Sequence, residues 1–272
     1  MEYCKNKEET VVKNRLFSNI VFVLFALYLL LPVLATIVYA FATAWNTSII
    51  PEGLTLKWFV TLFQDVHFVQ SLGRSVLLAG VAVGIGLLTI VPCVFVIVLY
   101  FPKYEKWIQV AVVTVYSFPG VILAVGLIRV YSQLGIPMIL TVLGAYVIAI
   151  LPYIYQGTRN SLRNVDARQL MDAAQLLGAT RTQAFTKVLL PTVFSGLFAG
   201  ALLSFSVLFG EFVLINLVVG SRFETVQIYL MKKLSTSGHI SSAIVFIYIV
   251  LIGVLTLIMA MLTKRSKGAT NI

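Results

Sequence analysis

Charge is scarce in this chain. Of its 272 residues only 11% are Asp, Glu, Lys or Arg, while 60% are hydrophobic and the mean hydropathy is +0.98. A soluble domain carries about 25% charged residues. The deficit excludes a water-exposed globular surface and indicates an integral membrane protein. Cysteine is nearly missing as well. Cys4 and Cys93 offer neither a disulfide framework nor a metal-ligand spacing. The two histidines, His67 and His239, lie far apart, which argues against a zinc site. No glycine is followed by lysine, so the chain has no P-loop, and any nucleotide energy must enter through another polypeptide. No nucleophile sits beside a base at usable spacing, so an enzyme is disfavoured and no cofactor is implied.

What is present is a set of long apolar runs. A helical span needs about 20 such residues, and six candidates stand out: 19–44, 75–100, 108–130, 138–156, 192–218 and 242–263. Ala42-Thr43-Ala44 resembles a signal-peptidase site, but the preceding run is far longer than a leader's apolar core and Glu8 and Glu9 precede it, so the first helix is expected to stay uncleaved. The net charge of +10 is carried between the apolar runs rather than interleaved with aromatics on one domain, the pattern of membrane topology and not of nucleic-acid binding. Lys5, Lys7, Lys13 and Arg15 precede span one, and Lys103 and Lys106 separate spans two and three. Arg159, Arg163, Arg168, Arg181 and Lys187 follow span four, and Lys264, Arg265 and Lys267 end the chain. The opposite side keeps Lys57, Arg74, Arg129, Arg222, Lys232 and Lys233. The positive-inside rule therefore predicts that both termini and the 157–191 loop are cytoplasmic.

That loop contains a polar island, MDAAQLLGATRTQAFTKVLLP, at 171–191. Ala167, Leu170, Met171, Ala174 and Leu177 recur at helical spacing and predict one apolar face. Gly178 is placed to end this helix at positive φ. Thr180-Arg181-Thr182-Gln183 fits a capping box opening a second helix, whose apolar side is Phe185, Val188 and Leu189. Pro191 is expected in the first turn of span five. Such a helix can lie on the inner leaflet, packed by lipid, or dock a protein. Ala173 and Ala174 favour docking, since small side chains admit close approach.

Asp172-Ala173-Ala174, then Gly178, then Val188-x-Leu190-Pro191 resembles the EAA signature of permease subunits of bacterial ABC importers: EAA, three residues, Gly, nine residues, Ile-x-Leu-Pro. Every spacing matches; Asp172 replaces Glu and Val188 replaces Ile. Within that family the chain is similar to spermidine/putrescine and aminophosphonate permeases at Gly53-Leu54-Thr55-Leu56-Lys57-Trp58-Phe59, Ser117-Phe118-Pro119-Gly120 and Gly220-Ser221-Arg222-Phe223-Glu224-Thr225. These stretches are shared with ferric-iron systems, and Gly210-Glu211 stands where polyamine permeases carry paired acids. The solute class is therefore left open among polyamines, aminophosphonates and ferric ion. The resemblance implies an all-α type I importer fold: a cytoplasmic segment 1–18, a six-helix permease domain 19–263 with its coupling loop at 157–191, and a cytoplasmic tail 264–272. It implies that Asp172, Ala173, Ala174, Leu177, Gly178, Leu190 and Pro191 couple the spans to a cytoplasmic ATPase. It further implies two ATPase subunits, a second permease subunit and an external solute-binding protein as partners, in a bacterial cell membrane.

Two spans carry candidate pathway residues. In span three, Pro119 deprives the Val115 carbonyl of its helical donor, so Ser117, Pro119 and Gly120 mark an expected break at membrane depth, which either lines the pathway or is a packing kink. In span five, Glu211 is the acid inside an apolar run. At 100° per residue Gly196, Gly200, Ser204, Val207 and Glu211 share one arc, a stripe suited to close helix packing or to contact with solute. A secondary transporter lacks support, because neither an internal repeat nor a second intramembrane titratable group is seen. A membrane scaffold would need a signalling domain that is not attached.

Overall fold

A computed structural model describes residues 2–45 and 50–268. Among them every regular element is a helix, so the fold is all-α. In chain order these are α1 (Glu2–Phe41), α2 (Lys57–Gln64), α3 (Val66–Tyr100), α4 (Glu105–Thr114), α5 (Gly120–Tyr131), α6 (Met138–Ala149), α7 (Leu151–Asn164), α8 (Ala167–Leu176), α9 (Arg181–Gln183), α10 (Leu190–Phe209), α11 (Val213–Val218), α12 (Val226–Leu234) and α13 (Gly238–Gly268). Five helical stretches are long and apolar enough to cross a membrane: Ser18–Phe41, Val66–Tyr100, Met138–Asn164, Arg181–Phe209 and Gly238–Ile258. A sixth crossing is made if the bent pair Pro102–Ser117 and Gly120–Tyr131 counts as one. The tail residues 269–272 lie outside the described range.

The chain divides into two compact units, Met1–Gln64 with Lys233–Ile249, and Asp65–Lys232 with Val250–Ile272. In the first, α1 exposes apolar side chains along most of its span, such as Phe22, Tyr28 and Leu31, as expected for a helix solvated by lipid or by another subunit. Its end is anchored by rings. Phe41 meets Phe59 and Phe246 at 4.9 Å, and His239 is stacked between Tyr39 and Trp58.

In the second unit α3, α7 and α10 form the centre, with Ile150, Ile154, Leu162, Leu189 and Val193 almost wholly buried. Asp65 opens α3, its Oδ1 accepting the His67 N–H at 2.9 Å, so this span begins at Val66 and not at 75. The crossing of α7 and α10 is glycine-to-glycine. A methyl at Gly157 would stand 3.1 Å from the Gly200 Cα, and one at Gly196 would stand 2.8 Å from the Ser161 Cβ. The Gly196, Gly200 and Ser204 part of the expected stripe is thus a helix-packing surface.

Two further expected boundaries are corrected. Span three is not one helix over 108–130 but two pieces meeting at 90°. Pro119 has no N–H to give Val115, and its ring pushes Phe118 to φ −85°, ψ 116°, out of the helical region. Span five does not run 192–218: the helix closes at Phe209 with Gly210 as its cap, and a separate short helix starts at Val213. Glu211 is therefore not on the α10 stripe but in the connection after it. Pro191 lies, as expected, in the first turn of α10. Residues 181–209 are continuous, with a π turn over Ala184–Leu189 in which Leu190 N–H bonds Phe185 O. The widened turn accommodates a residue that cannot supply an N–H.

Candidate functional site

The 165–190 segment is built from local signals that agree with one another. Asp166, at φ 45°, places its carboxylate on the Gln169 N–H and starts α8. At the other end Gly178 takes φ 89°; its N–H bonds Gln175 O at 2.9 Å and the Ala179 N–H bonds Ala174 O at 3.1 Å. This pair of bonds is the Schellman closure, which needs a residue without a Cβ penalty at the left-handed position. Thr180 and Gln183 then form the expected capping box, with Thr180 N to Gln183 Oε1 at 3.0 Å and Gln183 N to Thr180 Oγ1 at 3.3 Å.

The faces of α8 differ from the expected apolar stripe in one respect. Ala167, Met171 and Ala174 are buried against the unit, but Leu177 is 90% exposed and Leu176 88% exposed, with Asp172 and Ala173 exposed beside them. Leu177 swings outward because the helix ends there and the chain turns through Gly178. Ala174 packs inward, so Ala173 is the small residue offered outward. Leu190 is partly buried and Pro191 exposed on the helix that leads away. Leu176 is absent from the sequence-derived site because periodicity assigns faces only within a helix, and its neighbour ends one.

A charged lock holds this segment's support, and sequence reasoning did not find it. Glu105, 8% exposed at the start of α4, is paired with Arg159 Nε and with Arg163, whose Nη2 is 3.2 Å from Oε1. The Tyr155 hydroxyl also reaches the Glu105 carbonyl at 3.5 Å. The acid and the two arginines are more than fifty residues apart in sequence, so no spacing rule could reveal them. Arg168 Nη2 donates to Leu99 O at 2.8 Å and caps the last turn of α3.

The candidate pathway residues fall into two groups. Ser117, Pro119 and Gly120 are exposed at the 90° bend, next to Tyr116, whose ring meets Tyr153 edge-on at 5.3 Å. The bend lies beside α11, since a methyl on Gly120 would stand 3.8 Å from Val213 Cγ1. Glu211 precedes α11 and serves as its cap: Oε1 accepts the Leu214 N–H at 2.8 Å, and Oε2 accepts the Ile215 N–H at 3.2 Å and the Tyr146 hydroxyl at 2.9 Å. The two broken spans thus meet, and one half-helix N-terminus is neutralised by an internal carboxylate. Ser204 is not brought to this place. It is fully buried and donates to Gly200 O at 2.7 Å. Among the described residues no group of three or more His, Cys, Asp or Glu could hold a metal.

Comparison with known proteins places this geometry. The model of the binding-protein-dependent transport system inner membrane component family matches residues 94–268. The spermidine/putrescine transport system permease protein PotC of Escherichia coli is 27% identical over 250 residues, covering 90% of this chain and 93% of that protein. The putative 2-aminoethylphosphonate transport system permease protein PhnV of Salmonella typhimurium is 24% identical over 253 residues, covering 90% and 92%. A chain of a bacterial alginate ABC transporter, solved in complex with an alginate pentasaccharide-bound periplasmic protein, superposes with a TM-score of 0.69 at 18% identity over 95% of this chain and 96% of that one, a likeness of fold. With a matching model that spans both broken helices and the capped island between them, the chain belongs to the binding-protein-dependent transport system inner membrane component family.

Proposed function

We propose that this chain is one of two permease subunits in an ATP-driven importer that receives a small amine-bearing solute, of the polyamine or aminophosphonate class, from an external binding protein. The observation that carries the reading is the 165–190 segment. It is a stiff helix–turn–helix, closed by a Schellman turn and a capping box, that holds Leu176 and Leu177 out and is continuous through the π turn with a membrane-crossing helix. An exposed apolar pair next to Asp172 suits a groove on another protein. A rigid link to α10 suits the transmission of movement into the spans. Two ATPase subunits gripping this segment in each permease supply the work, consistent with a chain that has no P-loop.

The charge distribution supports a cytoplasmic position for the segment and for both termini. The solute class is supported by the names of the relatives, and the amine by the carboxylate of Glu211 beside the broken spans. The test is to isolate the tagged chain from its native membrane and to measure uptake in vesicles with the cognate binding protein. A nucleotide-binding chain and a second permease should copurify, and labelled putrescine or 2-aminoethylphosphonate should be accumulated in an ATP-dependent manner. Isolation without a nucleotide-binding chain would remove the ATP-driven reading; uptake of ferric ion instead would keep it and replace the solute.

A further inference from the structure

A cleft lies between the last turns of α3 and the α8–α9 turn, and of its lining the coupling reading uses only Asp172. Its outer part, about 260 Å³, is bordered by Tyr100, Arg168, Asp172, Gln175 and Arg181. Its inner part, also about 260 Å³, shares Leu99, Tyr100, Met171 and Arg181 and continues over Pro92, Phe95, Val96 and Phe185. The two parts differ in chemistry. The outer rim carries two guanidinium groups and one carboxylate; the inner floor, apart from Thr182, is apolar and includes Val96, 47% exposed on the flank of the span. Pro92 and Tyr100 are eight residues apart, so the floor reaches about 12 Å from the end of the span into membrane depth. Arg168 spends one donor on Leu99 O, which leaves the rest of its five N–H groups for another acceptor. Arg181 has no ion pair among the described residues.

We infer that this cleft is a binding site for an anionic phospholipid, with the phosphate between Arg168 and Arg181 and the start of an acyl chain along Phe95, Val96 and Phe185. Charge complementarity commits it to this occupant. Two cations and Asp172 leave one net positive charge, which a lipid of one negative charge neutralises. A free phosphate would leave the apolar floor uncovered. A basic pocket beside a spanning helix at the membrane boundary is a known setting for headgroup capture. The bound lipid would brace α8 against α3, so the lipid composition of that leaflet would bear on how firmly the segment follows a partner. The inference builds on the proposed coupling role only in this last consequence; the site itself stands on the cleft.

The test is native mass spectrometry of the purified full chain, with whatever subunits accompany it, after exchange into equal phosphatidylglycerol, phosphatidylethanolamine and phosphatidylcholine. Wild type should retain phosphatidylglycerol preferentially. Arg181→Gln should cut that retention about fivefold, the equivalent of ~1 kcal/mol for one basic residue near a lipid surface. Val96→Trp, which fills the floor from an exposed position, should cut it as much, while Lys103→Gln, an equal loss of charge outside the cleft, should leave it unchanged. Equal retention of the three lipids by wild type, or undiminished phosphatidylglycerol in either cleft variant, overturns the site. Displacement of the lipid by excess inorganic phosphate assigns the rim to a free anion and overturns the lipid. Retention is read without nucleotide or solute, so a failure of coupling with lipid still bound would touch only the coupling reading.

Discussion

At the scale of single residues, Glu211 shows how one side chain holds two demands. Its carboxylate takes two backbone N–H groups and a tyrosine hydroxyl, which satisfies the N-terminus of α11 at a partly buried position. Glu211→Gln keeps an acceptor oxygen but loses the charge opposing the helix end, an interaction of roughly 0.3–1 kcal/mol. If the acid also meets a cationic solute, uptake by the Gln variant should fall strongly while membrane expression stays near wild type, and Glu211→Asp should do less harm. Wild-type uptake by Glu211→Gln would leave the residue with its capping role alone. Gly178 poses a simpler demand. At φ 89° a β-branched side chain is a backbone outlier, so Gly178→Val should distort the Schellman turn. The expected result, shared with charge reversal at Asp172, is ATP hydrolysis that no longer drives uptake, with the spans still folded; uptake at the wild-type rate by both variants would end the coupling assignment.

At the scale of elements, the α7–α10 crossing and the Glu105 lock set how rigid the support of α8 is. Gly196→Ala would put a methyl 2.8 Å from the Ser161 Cβ, and that atom, unlike the hydroxyl, cannot rotate away. Overpacking of this kind costs typically about 1–3 kcal/mol, so the variant should lower the midpoint of thermal aggregation in detergent. The double variant Gly196→Ala with Ser161→Gly should recover it, and failure to recover would show that the crossing is not set by this contact. Glu105 stands on a different footing. A buried acid that loses both arginines is left uncompensated, so the double variant Arg159→Met with Arg163→Met should destabilise the fold more than Glu105→Gln, measured by the same midpoint.

At the scale of the whole molecule, the exposed apolar flank of α1 suits an apolar surrounding such as the lipid of a membrane. The 14 basic residues grouped on one side predict which parts meet an impermeant thiol reagent. In intact cells Ser235→Cys should react and Thr182→Cys should not. Thr47→Cys, expected to react with the same reagent, lies at a position outside the described residues. Reaction of Thr182→Cys would reverse the orientation and deprive the 165–190 segment of access to a cytoplasmic partner.

Much of this was legible in the residues alone. Composition determined a membrane protein, the apolar runs determined its helical class, and Gly178, Thr180 and Gln183 determined the turn, because capping bonds join residues three to five apart and leave a local pattern. Pro119 marked its own break for the same reason. The tertiary structure alone decided the end of α10 at Gly210, the outward turn of Leu177, the burial of Ser204 and the pairing of Glu105 with Arg159. A 100° wheel assumes a helix that continues, and in hydrocarbon a backbone can stop being helical wherever a neighbour satisfies it. At the start of α11 the Glu211 carboxylate satisfies the backbone, and Tyr146, 65 residues away in sequence, donates its hydroxyl to that carboxylate; only packing in three dimensions brings the two together.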